Sequence, residues 1–133
     1  MYILDTNIIS AVRRPDRAPK VAAWLRGKTE QDLFLSVITL GEIERGLRQQ
    51  ETKDPDFARD LRTWLDRTVH LFSDRLLPFE AEDARIWGRL SAEIGHNGAD
   101  LMIAASALRH AATVVTGNTR DFLPTGVALE DPF

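Results

Sequence analysis

The sequence predicts an α/β domain with a mainly parallel central sheet of four to five short strands flanked by helices. Short apolar runs alternate with longer segments of helical periodicity, the pattern of strands joined by crossover helices. One of those segments, Ala99 to His110, is apolar on nearly every side and reads as a buried central helix. No linker or internal repeat interrupts the 133 residues, so residues 1–133 are expected to form one domain.

The elements follow in order. Tyr2-Ile3-Leu4 reads as a short buried strand. Asn7 to Val12 reads as a short helix or turn, stopped near Arg13-Arg14-Pro15 because proline disfavours helix at the preceding residue. Ala18 to Arg26 places Val21, Trp24 and Leu25 at helical spacing. Leu33 to Ser36 is the second strand, and Thr39 to Gln50 the next helix, with Leu40, Ile43 and Leu47 on one face. After the break at Lys53-Asp54-Pro55, Phe57 to Phe72 is amphipathic through Leu61, Trp64, Leu65 and Val69. Leu76 to Phe79 is a third strand and Ala81 to Ile94 a helix; Gly95-His96-Asn97-Gly98 is turn chemistry. Thr113 to Thr116 is the fourth strand. Gly117 to Phe122 is a polar loop or single helical turn, and Val127 to Leu129 a last short strand.

Composition narrows the function. The net charge is −3, which excludes a globally basic nucleic-acid binder, although 14 of the 17 basic residues are arginine, the side chain suited to forked contact with phosphate. The absence of cysteine excludes disulfides, thiolate zinc sites and cysteine nucleophiles, and suits a reducing cytosol. No signal peptide or membrane-length apolar run is visible, so a soluble cytoplasmic protein with no membrane association is expected.

Acidic or amide side chains sit beside predicted helix starts at four places. Asp5 ends the first strand, Glu42 follows the second, Asp100 opens the buried helix, and Asn118 and Asp121 follow the fourth strand. Singly, each has a plain structural reading. Asp5 serves as an N-cap, Thr39-Leu-Gly-Glu42 matches a capping box, and Asp100 suits the helix dipole. Jointly they point elsewhere. In a parallel α/β sheet, strand C-termini and the following helix N-termini share one edge, where ligands bind. Two carboxylates about 5 Å apart repel by roughly 3 kcal/mol at an effective dielectric near 20, so such a cluster asks for a cation or a shared proton. Oxygen donors without histidine or cysteine suit Mg²⁺ or Mn²⁺, which activate water and neutralise phosphoryl oxygens. Glu44 lies at least as near the apolar stripe as Glu42 but is expected to be a solvated rim residue.

Four pieces of the chain make this specific: Leu4-Asp5-Thr6-Asn7, Ser36 to Gly46, Asp100 to Leu108, and Val115 to Phe122. In this order they resemble the PIN-domain ribonucleases, nearest to the VapC or FitB type of toxin from bacterial type II toxin–antitoxin pairs. The resemblance implies a PIN-like fold and a Mg²⁺- or Mn²⁺-dependent endoribonuclease. It matches Asp5, Glu42 and Asp100 to the family's metal-site acids and Asn118 or Asp121 to the fourth polar position, with Thr6 or Asn7 orienting Asp5 or touching the metal water. It also implies a homodimer, an RNA substrate (structured RNAs such as tRNA are among those relatives cut), and a cognate antitoxin lying in a groove over the site. The helices Ala18–Arg26, Thr39–Gln50 and Phe57–Phe72 are the candidates for that groove. One departure stands out. Only Gly95 to Ala99 separates Ile94 from Asp100, shorter than in relatives, which predicts that the preceding helix frays or the buried helix starts elsewhere.

Arg13, Arg14, Arg17 and Lys20 cluster beside the Asp5 turn, where they form either a solvated loop or an RNA-phosphate rim whose binding falls steeply with salt. His70, His96 and His110 are scattered and expected at the surface or at helix ends, and Trp24, Trp64 and Trp87 are expected in the core. Two rival readings remain: an aspartate-nucleophile phosphotransferase, which wants a second aspartate where Asn7 stands, and a catalytically impaired PIN-like binding module.

Overall fold

The computed structural model describes residues 1–133 and contains one five-stranded, all-parallel sheet. Its strands are β1 (Tyr2–Leu4), β2 (Leu33–Ser36), β3 (Leu76–Leu77), β4 (Thr113–Val115) and β5 (Ala128–Glu130), in the order β3-β2-β1-β4-β5. The helices are α1 (Thr6–Val12), α2 (Pro19–Arg26), α3 (Val37–Lys53), α4 (Pro55–Leu71), α5 (Ala81–Ile94), α6 (Ala99–His110) and the single turn α7 (Thr119–Phe122).

The sheet is covered on both faces. Successive residues of a strand point to opposite sides, so Ile3 and Val114 pack with Ile103, Ala104 and Ala107 of α6, while Leu4 and Val115 pack with Ile8, Ile9, Val21 and Ile43 on the other side. Six residues of α6 are buried, including Leu101 and Ile103 to Ala107, in line with its nearly uninterrupted apolar sequence. β1 is the branch point of the topology. The chain builds outward through β2 and β3 on one side of it, then returns to β4 and β5 on the other. The crevice beyond the C-terminal ends of β1 and β4 is therefore the topological switch point where open α/β sheets bind ligands.

Several boundaries differ from the sequence reading for identifiable reasons. α3 starts at Val37 rather than Thr39, because the Ser36 hydroxyl accepts the Ile38 N–H at 3.0 Å and caps the helix directly at the strand end. Thr39 and Glu42 therefore form no capping box. Thr39 is fully buried with its hydroxyl unpartnered, and Glu42 lies in the second turn of the helix. α4 begins at Pro55, since proline is tolerated in a first helical turn and the Asp54 carboxylate accepts the Phe57 N–H. β3 shrinks to two residues because Pro78 has no N–H to give to the ladder. The short Gly95–Ala99 segment disturbs neither neighbour. α5 runs intact to Ile94 and closes on Gly95 at φ +96°, a left-handed conformation that glycine adopts freely, and α6 starts at Ala99 behind Gly98.

Candidate active site

Asp5 sits where β1 hands over to α1, held by its own N–H, which donates to Val115 O of the neighbouring strand at 3.0 Å. The residue is 4 % exposed. Oδ1 accepts the Thr6 N–H at 2.8 Å, and Oδ2 accepts the Thr116 hydroxyl at 2.7 Å and the Asn7 amide at 3.3 Å. Burial raises the Asp5 pKa above the usual carboxylate value, and the bonds from Thr116 and Thr6 partly offset it.

The neighbouring polar groups form one connected network. The Asn7 amide also donates to the Thr116 hydroxyl at 3.1 Å, and Asn7 Oδ1 accepts the Gly117 N–H at 3.1 Å. Thr6 Oγ1 donates to Glu42 Oε1 at 2.7 Å, tying the start of α1 to α3. Thr116 Oγ1 further accepts the Asn118 N–H at 2.9 Å, which fixes the loop after β4. Thr116 is thus the hub of the site, a role not assigned to it from the sequence. The signal was present: Thr116 stands immediately after the fourth apolar run, as Asp5 stands after the first and Ser36 ends the second.

A cleft of about 680 Å³ opens over this network, lined among others by Asp5, Thr6, Asn7, Glu42, Asp100 and Asn118. Asp121 is outside the lining. It is exposed on the first turn of α7 and accepts the Asn118 amide at 2.6 Å, and its charge reaches Asp100. The arginine-rich segment divides. Arg14 and Arg17 line the cleft, whereas the Arg13 guanidinium lies over the rings of Phe57 (4.9 Å) and Trp64 (5.8 Å), and Lys20 is solvent-exposed outside the lining. Glu44 pairs with Arg62 at 3.5 Å at the surface, away from the cleft.

Asp100 is partly buried and feels the charges of nearby acids. Its pKa is pushed up to about 6, first by burial and then by the negative charges of Asp5, Glu42 and Asp121, against a small opposing effect of His96. The donors lining the cleft are carboxylate and carboxamide oxygens, the set a hard divalent cation takes. No three carboxylate or imidazole groups stand preassembled as a ligand set. The arrangement fits an ion whose coordination is completed by water and whose charge relieves the repulsion felt at Asp100.

The burial of Asp100, together with that repulsion, predicts a pH dependence of the ion-free protein. In the folded chain Asp100 binds its proton up to a pH of about 6, against an ordinary value of 3.8. Between these values the folded state holds more protons than the unfolded one, so stability falls as pH rises through that window. The contribution is complete below about pH 4 and lost above about pH 6, a difference of roughly 1–2 kcal/mol once solvent screening is allowed for. Without divalent ion, Asp100→Asn is therefore expected to melt about 3–5 °C above the parent at pH 7.5 and level with it at pH 4. Thermal melts in chelator at both values check this, and no difference at pH 7.5 would contradict a convergent acid cluster.

A second, more apolar cavity of about 270 Å³ lies between α1, α2 and α4, lined by Ile9, Val12, Leu25, Trp64, Leu71 and their neighbours. α1 lines it together with α2 and α4, two of the helices expected to form a groove. The three tryptophans, expected in the core, are partly buried and pack against its edges; Trp24 meets Tyr2 edge-on at 5.2 Å.

Comparison with known proteins agrees with this geometry. The model of the PIN domain matches residues 2–125. The chain is 34% identical over 142 aligned residues to the toxin FitB of Neisseria gonorrhoeae, covering all of this chain and 99% of that one. It is 32% identical to the VapC ribonuclease Y4jK of Sinorhizobium fredii, covering all of this chain and 98% of the relative. The crystal structure of FitAcB from Neisseria gonorrhoeae superposes with a TM-score of 0.85 at 33% identity, covering 99% of this chain and 98% of the matched one. A five-stranded parallel sheet with an acidic cleft at its switch point, matched along nearly its whole length, makes this chain a member of the PIN-domain family, of the VapC/FitB type.

Proposed function

We propose that the chain is a metal-dependent endoribonuclease acting as the toxin of a type II toxin–antitoxin pair. The observation that carries the reading is the meeting of Asp5, Glu42, Asp100 and Asn118, distant in sequence, in one cleft at the sheet's switch point. The ribonuclease and toxin names of full-length relatives support it.

In this reading Asp5, Glu42, Asp100 and Asn118 hold Mg²⁺ or Mn²⁺. Such an ion, when bound, supplies an activated water and neutralises charge on the phosphoryl oxygen. The protein's own groups do the positioning. Thr6, Asn7 and Thr116 fix both oxygens of Asp5, so the carboxylate presents one rotamer to the cleft. Thr6 holds Glu42 by one oxygen and leaves the other available. The Asp121 carboxylate anchors the Asn118 amide nitrogen. Thr116 touches the cleft only through these partners, so Thr116→Val is expected to reduce cleavage about 10- to 100-fold, the usual cost of losing a group that orients a metal-site side chain.

Arg14 and Arg17 form the basic wall of the cleft and are placed to bind backbone phosphates flanking the cut. Replacing both with alanine is expected to lower the dependence of log K on log salt by about 0.7 for each single-strand phosphate that is no longer neutralised. The same change at Arg13 and Lys20 is expected to leave the slope near the parent's. Filter-binding titrations from 50 to 200 mM salt distinguish the two pairs.

The apolar groove between α1, α2 and α4, with Val12 and Leu71 exposed at its edges, suits an amphipathic helix of the antitoxin. The direct test of the whole reading is RNA cleavage with Mn²⁺ by the parent and by Asp5→Asn. The rival readings lose ground on particular residues. The position a phosphotransferase fills with a second aspartate holds Asn7, whose amide bonds Asp5 and Thr116. An impaired module would follow from an Asp100 misplaced behind the short Gly95–Ala99 turn; α6 begins intact at Ala99 and Asp100 lines the cleft.

A further inference from the structure

Phe133 is the only aromatic residue in the lining of the acidic cleft. The residue is 48 % exposed. It is not loosely attached. One side lies against the Gly117 backbone so closely that a Cβ at residue 117 would come within 2.7 and 2.8 Å of ring carbons Cδ2 and Cε2. Any side chain there would push the ring away. The Phe133 N–H donates to Asp131 Oδ1 at 2.9 Å, which holds the backbone beside the ring.

Gly117 is in turn tied to the acid network, since its N–H donates to Asn7 Oδ1 and Asn7 donates to Asp5. The ring is thereby set at a fixed place relative to Asp5, on the Asn118 side of the cleft, while Arg14 and Arg17 supply the cationic wall. A solvent-facing aromatic beside a phosphate-reading wall is the arrangement that grips single-stranded nucleic acid. Cations take the backbone, and a ring takes the face of an unpaired base with little regard to its identity.

We infer that Phe133 is a stacking platform for an unpaired nucleobase next to the phosphate held at the acidic cleft, making it a positioning residue for substrate; the inference rests on the ribonuclease reading. Stacking needs a base, whereas the arginines need only the backbone, and that difference makes the two separable.

The test measures binding of two probes of equal charge, octaadenylate and an eight-unit abasic ribose-phosphate oligomer. It uses the full chain carrying Asp5→Asn, so that nothing is cut, in the presence of Mg²⁺. Adding Phe133→Ala is expected to weaken octaadenylate roughly 5- to 20-fold and leave the abasic oligomer unchanged, while Phe133→Trp keeps the parent affinity for both. Equal weakening of both oligomers would reduce Phe133 to a structural prop and overturn the platform. No weakening of either would assign the ring to packing or to a protein partner and overturn it as well, as would the absence of binding by the Phe133 protein. The ribonuclease reading fails separately. A parent chain that cuts no RNA with Mn²⁺, yet shows the base-dependent Phe133 effect, loses the activity and keeps the platform.

Discussion

Asp5→Asn is expected to lower RNA cleavage by roughly 10³-fold or more and to leave the fold intact. The loss follows from the position of the carboxylate. Asp5 is nearly buried at the floor of the cleft, and substitution removes one negative charge and one oxygen donor from the acids that a divalent ion would meet first. Removing residues that merely orient metal ligands costs about 10- to 100-fold, so removing a ligand costs more. The fold is retained because asparagine has the same shape and keeps an oxygen for the Thr6 N–H, and burying a neutral amide costs less than burying a carboxylate, the burial that raises the Asp5 pKa. The measurement is cleavage with Mn²⁺ beside thermal melts of both proteins. Equal cleavage by the two would remove the metal-site reading, and a collapsed variant would show that Asp5 is needed first as a cap.

The second large effect lies at the other end of the molecule. Asp83→Ala is expected to destabilise the protein by about 2–3 kcal/mol, a fall of roughly 6–10 °C in Tm. Asp83 is fully buried, accepts the Glu80 N–H at 2.7 Å in the capping box of α5, and meets Arg109 of α6 at 2.6 and 3.1 Å. About 1 kcal/mol of the loss is the cap; most of the rest is the ion pair. Burial by itself would raise the Asp83 pKa. The bonds from Arg109 and Glu80 and the charges of Arg109 and His110 outweigh it and hold the group below the usual carboxylate value. A depressed folded value means that the contribution is present above about pH 4 and lost as pH falls through the folded value, opposite in sign to Asp100. The gap in Tm between the parent and Asp83→Asn, which keeps the cap acceptor but not the charge, is therefore expected to narrow in acid. The pair fastens the C-terminal end of α6 to α5, and Asp100 opens the same helix at the cleft, so a stability defect here is expected to leave the folded fraction able to cut.

The predicted elements were legible because their causes are local. α5 and α6 have the boundaries their periodicity indicates, since Gly95 and Gly98 punctuate them within a few residues. Where boundaries moved, a single side chain was responsible: the Ser36 hydroxyl advanced α3 by two residues, and Pro78 cut β3 short. The acids of the cleft were legible as candidates, because each stands beside a helix start and the four sequence pieces resemble one family. The choice among their neighbours was not. Asn118 and Asp121 lie three residues apart, and only the packing of α7 puts Asn118 in the cleft lining with Asp121 bonded to its amide. Arg13 and Arg14 are adjacent, yet successive helix-end residues point in different directions, one onto Phe57 and Trp64 and the other into the cleft.

By itself the sequence determined the alternation of strands and helices, the mainly parallel class of the sheet, the Asp5 cap that starts α1 and the family to which the chain belongs. Each of these depends on residues within a few positions of one another, or on motifs that need no coordinates to be matched. The tertiary structure decided the strand order β3-β2-β1-β4-β5, and with it that Asp5 and Thr116, 111 residues apart, share a hydrogen bond at the switch point. It also decided that Phe133 stands over Gly117 at the edge of the cleft. Such meetings are set by which strands pair and which face each strand shows, and that is a property of the packed sheet rather than of any segment within it.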